Sequence, residues 1–423
     1  MNKKIFQPVH LCRITILVSL IAMVSCKKYD YLGFTPGTGT PTISSVHTYL
    51  KTDTTTRYDT LYSYDAAGNL VTALREKQDS PYPFDSVTTS GNLGGYYVIY
   101  GTNLGNATSI TFNGYPAYFN RALITDKSIV VQVPAKTPYF GSLATDSLVV
   151  HTLNGRAHFM FKILSPPPTV ASYSNYNFSP SLASASQITL QGVGFVNVTA
   201  ATLKGPGGVT GTTTIVSQND SVLTLKFDAT AATRGVLEFT YNDGGTPRTI
   251  SATQELVNLD NTEPIFLDDP GPGWGSWSWG PSGTSTAQVK TGTASYATLF
   301  GGNSWWVNGF RNGGGGAGDG IVYSADYRFL SFWVHGGTAD QTAYIEFGNE
   351  GFSNSNVNNV GNPFTIPAGK WTYIKIPIAD LKWNTTATGW SAHSSERLNT
   401  VAFFMYQNTS DQQLYIDDLV LIK

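Results

Sequence analysis

The stretch GTNLGNATSITFNG, residues 101–114, opens on a glycine turn, Tyr100-Gly101-Thr102-Asn103-Leu104. The turn has a later counterpart, Gln191-Gly192-Val193-Gly194-Phe195, with Gly192 91 residues after Gly101. Strand-like runs follow both turns, Thr125-Asp126-Lys127-Ser128-Ile129-Val130-Val131 in one case and Gln218-Asn219-Asp220-Ser221-Val222-Leu223-Thr224 in the other. Each unit closes on a hairpin signal, Asn154-Gly155 and Asp243-Gly244, 89 residues apart. The units open alike, with Pro41-Thr42-Ile43 and Pro168-Thr169-Val170. A loose repeat of this length, with glycine turns and strand-length runs, fits two tandem β-sandwiches.

The 101–114 stretch resembles the IPT/TIG class of immunoglobulin-like domains. That resemblance implies two spacers, residues 41–165 and 166–260, that set distance and orientation. Ser165-Pro166-Pro167-Pro168 makes a stiff joint between them, because proline fixes φ. The first unit also carries a segment at about 48–90, read as a hairpin insertion. Within it, Tyr64-Asp65-Ala66-Ala67-Gly68-Asn69-Leu70 looks like a single YD-type repeat.

The N-terminus reads as a sorting signal. Lys3, Lys4 and Arg13 precede an apolar run at 14–24, too short to span a bilayer. The run ends Ala22-Met23-Val24-Ser25-Cys26, which resembles a bacterial lipobox. The resemblance implies removal of residues 1–25 and lipidation of Cys26, followed by a Gly/Thr-rich tether over 26–40. Of the two cysteines, Cys12 leaves with the signal, so stability must come from cores rather than disulfides. Charged residues are 13% of the chain and the formal net charge is −2. Phosphate neutralisation needs clustered Lys and Arg, so nucleic acid is disfavoured.

Residues 261–423 read as a third β-domain. Phe329–His335 alternates, with Leu330, Phe332 and Val334 against Ser331, Trp333 and His335. Trp371–Ile378 alternates as well, and Thr342–Phe347, Thr400–Tyr406 and Leu414–Leu421 are further strands. Such runs between Gly/Asn/Pro turns make a sandwich or jelly roll. The expected fold class is therefore all-β, two immunoglobulin-like sandwiches followed by a jelly-roll-like sandwich.

All nine tryptophans lie in that third domain, at 274, 277, 279, 305, 306, 333, 371, 383 and 390. One or two indoles fill a core, and a surplus needs a reason. Sugar rings supply one, since their C–H faces stack on indoles while their hydroxyls reach polar side chains. Trp274, Trp277, Trp305 and Trp306 sit in glycine-flanked, loop-like sequence and are the candidate ligand contacts. Adjacent strand residues face opposite ways, so either the chain twists at Trp305-Trp306 or one of the pair is core. Asn303, Asn308, Arg311, Asn349, Glu350 and the Asn-rich 354–359 run are candidate partners for hydroxyls. Trp279, Trp383 and Trp390 read as loop staples.

The third domain resembles the glycan-binding domain of surface glycan-binding proteins from Gram-negative polysaccharide-utilisation systems. The residues that carry the likeness are Gly273-Trp274 with Trp277, the pair Trp305-Trp306, Trp371-Thr372-Tyr373-Ile374-Lys375-Ile376-Pro377, and Tyr415-Ile416-Asp417-Asp418-Leu419. It implies a lipid-anchored, non-catalytic outer-membrane protein facing the cell exterior. Such a protein holds a β-linked polysaccharide of the β-glucan, xyloglucan or mannan type for surface glycoside hydrolases and an importer. Either Trp274 or Trp277 matches the family's upstream platform indole.

Asp268 and Asp417, with Asp269 and Asp418, are candidate ligands for a structural calcium, which seeks several oxygens. The rival to a binder is a hydrolase or lyase, needing two carboxyl groups across the bond; Glu346, Glu350, Glu396 and Asp326 are the candidates. A further alternative is an adhesin, which would not need so many indoles.

Overall fold

The computed structural model describes residues 35–51, 57–64, 70–77, 82–314, 316, 318–349, 362–384, 388–405 and 408–423. The signal segment, Cys26, residues 65–69, Glu350 and residues 354–359 lie outside this set. Among the described residues, regular structure is strand, with short 3₁₀ turns between strands. Among the described residues no helix is long and apolar enough to cross a membrane. The chain divides into two compact units, Leu74–Leu164 with the residues up to Leu61 in one, and Ser165–Lys423 with Tyr62–Ala73 in the other.

The first unit packs a five-stranded sheet against a four-stranded one. The five run in the order Tyr82–Val87, Thr42–Lys51, Tyr96–Thr102, Ser128–Gln132, Phe119–Ile124, and the four in the order Gly155–Met160, Ser147–Thr152, Ala107–Phe112, Tyr115–Ala117. Alternate residues, among them Val46, Ile99, Ile110, Phe112, Ile129, Leu148 and Val150, fill the space between them. The expected insertion is a separate hairpin, Arg57–Tyr64 with Leu70–Lys77.

The second unit begins with a sandwich whose eight strands form one continuous path, joined through Thr210–Gln218. Its core includes Phe178, Leu190, Phe195, Leu203, Leu225 and Phe239. The repeat seen in sequence is geometric here. A Cβ on Gly101 would collide with the Thr42 carbonyl oxygen, and one on Gly192 with that of Thr169. The opening strand slips register beside each glycine, between Ile43 and Ser45 and between Val170 and Ser172. Gly101 N–H donates to Lys127 O at 2.9 Å and Gly192 N–H to Ser221 O at 2.9 Å. Only a residue without Cβ allows the first strand so close, which is why both turns need glycine there.

The rest of the second unit is a two-sheet sandwich. One sheet orders Ser282–Ser285, Ser295–Phe300, Gln412–Ile422, Phe329–His335 and Trp371–Pro377, with Glu263–Phe266 also paired to Gln412–Ile422. The other orders Trp274–Ser278, Val307–Asn312, Thr400–Phe404, Gln341–Gly348 and Asn362–Ile366. The interior holds Phe266, Tyr296, Phe310, Leu330, Phe332, Ile345, Phe403 and Ile416, together with Trp274, Trp383 and Trp390.

This sandwich is locked to the one before it. Tyr176 stacks on Trp333 at 5.4 Å and meets Tyr373 edge-on at 5.4 Å. Asn177 Nδ2 donates to buried Asp418 at 2.9 Å, and Lys290 Nζ donates to Ser174 O at 2.8 Å. Glu255 pairs with Arg234 and with Lys375, while Val257 and Leu259 pack on Val420 and Ile422. Trp333, which alternation placed opposite the aliphatic face, is thus packed beneath the neighbouring sandwich.

Candidate functional site

The strand Trp274–Ser278 forms one edge of the five-stranded sheet, paired to Val307–Asn312. Pairing sets which side chains share a face. Trp277 stands opposite Gly309, which stands opposite Ala402, and Ala402 opposite Glu346. The ladder continues past the strand end, because Trp279 N–H donates to Val307 O at 2.9 Å. Trp279 therefore begins the next row on the same face, followed by Val307, Phe404, Tyr344 and Pro363. Trp274 has the opposite parity. It points inward with Ser276 and Ser278, whose hydroxyls meet the Tyr296 hydroxyl at 2.6 and 2.7 Å.

The four expected contacts therefore separate. Trp274 is a core side chain, 6% exposed, and its assignment as a ligand platform is corrected. Trp277 is half-buried, packed with Tyr344 against Val307, Ala402 and Phe404. Gly309 opposite it has no side chain to prop the indole away from the sheet, the usual aromatic cover for a strand glycine. Trp305 is 45% exposed. Trp306 is half-buried and wedged against backbone: a Cβ at Gly280 would fall 2.5 Å from its Cε3, and one at Gly301 3.1 Å from its Cζ3. The pair thus divides into one half-exposed ring and one half-buried ring.

Sequence reasoning missed Trp279, read as a loop staple. It is 49% exposed and stands opposite Val307, two residues along from Trp305. Trp305 precedes the strand Val307–Asn312 and Trp279 follows its antiparallel partner, so the two exposed indoles lie on segments at the same end of that strand pair. Asn308 explains how Trp279 is held. Its side chain is buried, accepts N–H bonds from Trp279 and Gly280 at 3.1 and 2.8 Å, and donates to Leu299 O at 2.8 Å. Asn308 is a positioning residue and not a partner for hydroxyls. Asn408 does the same for the Trp305 loop, donating to Phe300 O and Gly301 O at 3.2 and 2.9 Å, while Asn303 N–H donates to Asn408 O at 2.8 Å.

Seating by glycine gives a test. Gly280→Ala is expected to lift Trp306 and disturb the neighbouring Trp279, weakening several-fold the hold on any sugar ring stacked there, roughly the scale of one stacked ring. Titration of both proteins with the same oligosaccharide checks it, and equal affinity would detach Trp306 from the site.

Among the other polar candidates, Asn349 and Glu396 are engaged with each other. Asn349 Nδ2 donates to Glu396 Oε2 at 2.8 Å, and Trp383 Nε1 donates to the same oxygen at 3.1 Å. His393 lies 2.7 Å from Glu396 Oε1; that hydrogen bond, with the two donors just named, holds the Glu396 carboxyl below its ordinary value. A general acid needs the opposite shift, so Glu396 is poorly suited to be the general acid of a glycoside cleavage. Glu346 is buried, at 7% exposure, in the Trp277 row. Arg311 lies one row further on the same face, opposite Thr400 and Gly275.

The calcium candidates do not form a cage. Asp268 Oδ1 accepts N–H bonds from Thr293 and Ala294 at 2.6 and 2.9 Å. Asp417 Oδ2 accepts from Lys290 and Thr291, and its Oδ1 from Asp418 N–H. Asp418 takes the Thr291 hydroxyl and the Asn177 amide. Burial pushes both adjacent carboxyls well above the usual carboxylate range, and the Asp418 charge adds to this at Asp417. Among the described residues no group of three His, Cys, Asp or Glu is placed to hold a metal. A hard cation would have to displace these donors, so the residues do not fit calcium and no role for it follows.

Comparison with known proteins adds an IPT/TIG domain match over residues 82–158. No curated relative matches the chain. Among solved structures the chain is similar to the surface glycan-binding protein PbSGBP-B from Prevotella bryantii, at 15% identity, covering 92% of this chain and 99% of that one with a TM-score of 0.45. It is similar to SGBP-B from a complex xyloglucan utilization locus in Bacteroides uniformis, at 14% identity, 90% and 99% coverage and a TM-score of 0.38. A third is SGBP-B of the Bacteroides ovatus mixed-linkage glucan utilization locus, in complex with a mixed-linkage heptasaccharide, at 12% identity, 84% and 78% coverage and a TM-score of 0.26.

Proposed function

We propose that this chain binds a neutral polysaccharide without cleaving it, stacking the chain on Trp279 and Trp305 with Trp306 and Trp277 beside them. The observation that carries the reading is the pair of half-exposed indoles at one end of the paired strands Trp274–Ser278 and Val307–Asn312, each on backbone held by a buried asparagine clamp. Rigid, flat apolar faces suit pyranose rings, and their loss of freedom on binding is small because the backbone beneath is already fixed. The low charge of the chain suits an uncharged ligand. A β-linked glycan of the glucan, xyloglucan or mannan type presents such faces repeatedly. Binding isotherms of the full chain against those three polysaccharides test the reading. Binding to none of them overturns it, and release of reducing sugar would replace it with the hydrolase reading.

In this proposal the chain is lipid-anchored at Cys26 on the outer membrane, within reach of hydrolases and an importer. Cys26→Ala is expected to move the protein from the membrane to the soluble fraction. Fractionation of cells making each version checks this, and a membrane-bound variant would remove the anchor from the account.

A further inference from the structure

The six-stranded sheet has its own outward face, and only part of it is covered by the preceding sandwich. Tyr176 covers the row of Tyr373 and Trp333. The next row, read across the strands, is Trp371, His335, Tyr415, Ala297 and Gly283, each directly opposite the next. Trp371, His335 and Tyr415 are partly exposed. The His335 ring stands edge-on to Trp371 at 5.4 Å and to Tyr415 at 6.1 Å. The row then runs out flat, since a Cβ on Gly283 would meet nothing within 4 Å. No residue of the row is a carboxylate, a lysine or an arginine.

The opposite face of the same strands is already a full core, with Tyr296, Leu330, Phe332, Val334 and Ile416 buried there. The aromatic row is therefore surplus to the fold, and a partly exposed aromatic row on a sheet asks for an occupant. Strands lie about 4.8 Å apart, so Trp371 and Tyr415, two strands apart, are separated by about 10 Å. That is about the length of two sugar units in an extended chain. The five strands give a strip of about 19 Å.

We propose that this row is a second polysaccharide-binding strip, taking a neutral glycan laid across the strands, on the sheet opposite the Trp279–Trp305 platform. This rests on the reading that the chain binds polysaccharide. Two weak surfaces on one domain engage a long polymer together and gain retention that a short fragment cannot supply.

The test uses the full chain, the best-bound member of the glucan, xyloglucan and mannan panel, and an oligosaccharide of about six sugars cut from it. In affinity gels, a Trp371→Ala/Tyr415→Ala variant is expected to lose roughly ten-fold in retention on the polymer while its affinity for the oligosaccharide stays within about two-fold. A Trp279→Ala/Trp305→Ala variant is expected to do the reverse, losing the oligosaccharide and keeping residual retention. Gly283→Arg leaves all three rings in place and adds a long charged side chain at the open end of the row. It should lower polymer retention with an unchanged melting point, and it decides the matter if the double variant fails to fold. Unaltered retention in folded Gly283→Arg and strip variants overturns the strip and leaves the platform standing. Failure of the unaltered protein to bind any of the three polymers overturns both.

Discussion

Trp383→Ala is expected to destabilise the second unit by about 3–5 kcal/mol, the range for removing a large aromatic from a packed core. Trp383 is fully buried. Its ring lies parallel to Trp390 at 5.5 Å and 12°, parallel to His393 at 5.9 Å and 16°, and edge-on to Phe347 at 5.9 Å. Trp390 is in turn stacked on Tyr327 at 5.9 Å. Removing the middle ring opens a cavity whose walls are rigid rings, which collapse poorly, so the upper part of the range applies. The Glu396 carboxylate also loses the Nε1–H donor that helps hold it charged. The melting temperature should fall by roughly 6–20 °C for a unit of this size. Trp383→Phe keeps an aromatic body and gives up the donor, so it should cost much less. A Trp383→Ala protein within 1 kcal/mol of the unaltered one, by denaturant titration, would show that the stack bears little of the stability.

The contrast between these indoles and the open ones shows what the sequence could supply. The two repeats were legible because glycine signals report a backbone demand directly: Gly101 and Gly192 each face a carbonyl oxygen. The strands Phe329–His335 and Trp371–Pro377 were legible through their period. Trp274 was misread although the rule needed was in hand. Residues three apart on a strand face opposite ways, so Trp274 and Trp277 cannot serve one surface, whereas Trp277 and Trp279 can. The glycines between them suggested a loop and hid the strand, Trp274–Ser278, that makes parity count. Asn308 was misread for another reason. A polar residue beside tryptophans looks like a ligand contact, and only tertiary pairing reveals that its amide closes the Trp279–Gly280 turn. Burial of Trp383 and Trp390 depends on the packing of distant segments, which no local pattern reports.

Trp279 and Trp305 carry the largest expected effect on binding. Each alanine substitution should weaken association by about 1–3 kcal/mol, the scale of one ring stacked on an aromatic side chain. That is roughly a 5- to 150-fold loss for each. Trp279 pairs with Val307 and Trp305 lies two residues before it, so the two rings would touch nearby sugars of one chain and the double variant should lose more than either single one. Their losses need not add, because a ligand released from one ring can reorient on the other. Stability should change little. Both rings are about half exposed, at 49% and 45%, and the clamps formed by Asn308 and Asn408 act on backbone that the substitutions leave intact. Trp274→Phe is the matched control: it alters a core indole three residues from Trp277 on the same strand and five from Trp279, and should leave affinity unchanged while costing some stability. Calorimetric titration with one oligosaccharide, beside thermal unfolding, reads all four proteins. Equal affinity in the double variant, with the fold intact, would mean that these indoles face solvent for some other purpose and that the polysaccharide site must be sought on the opposite sheet.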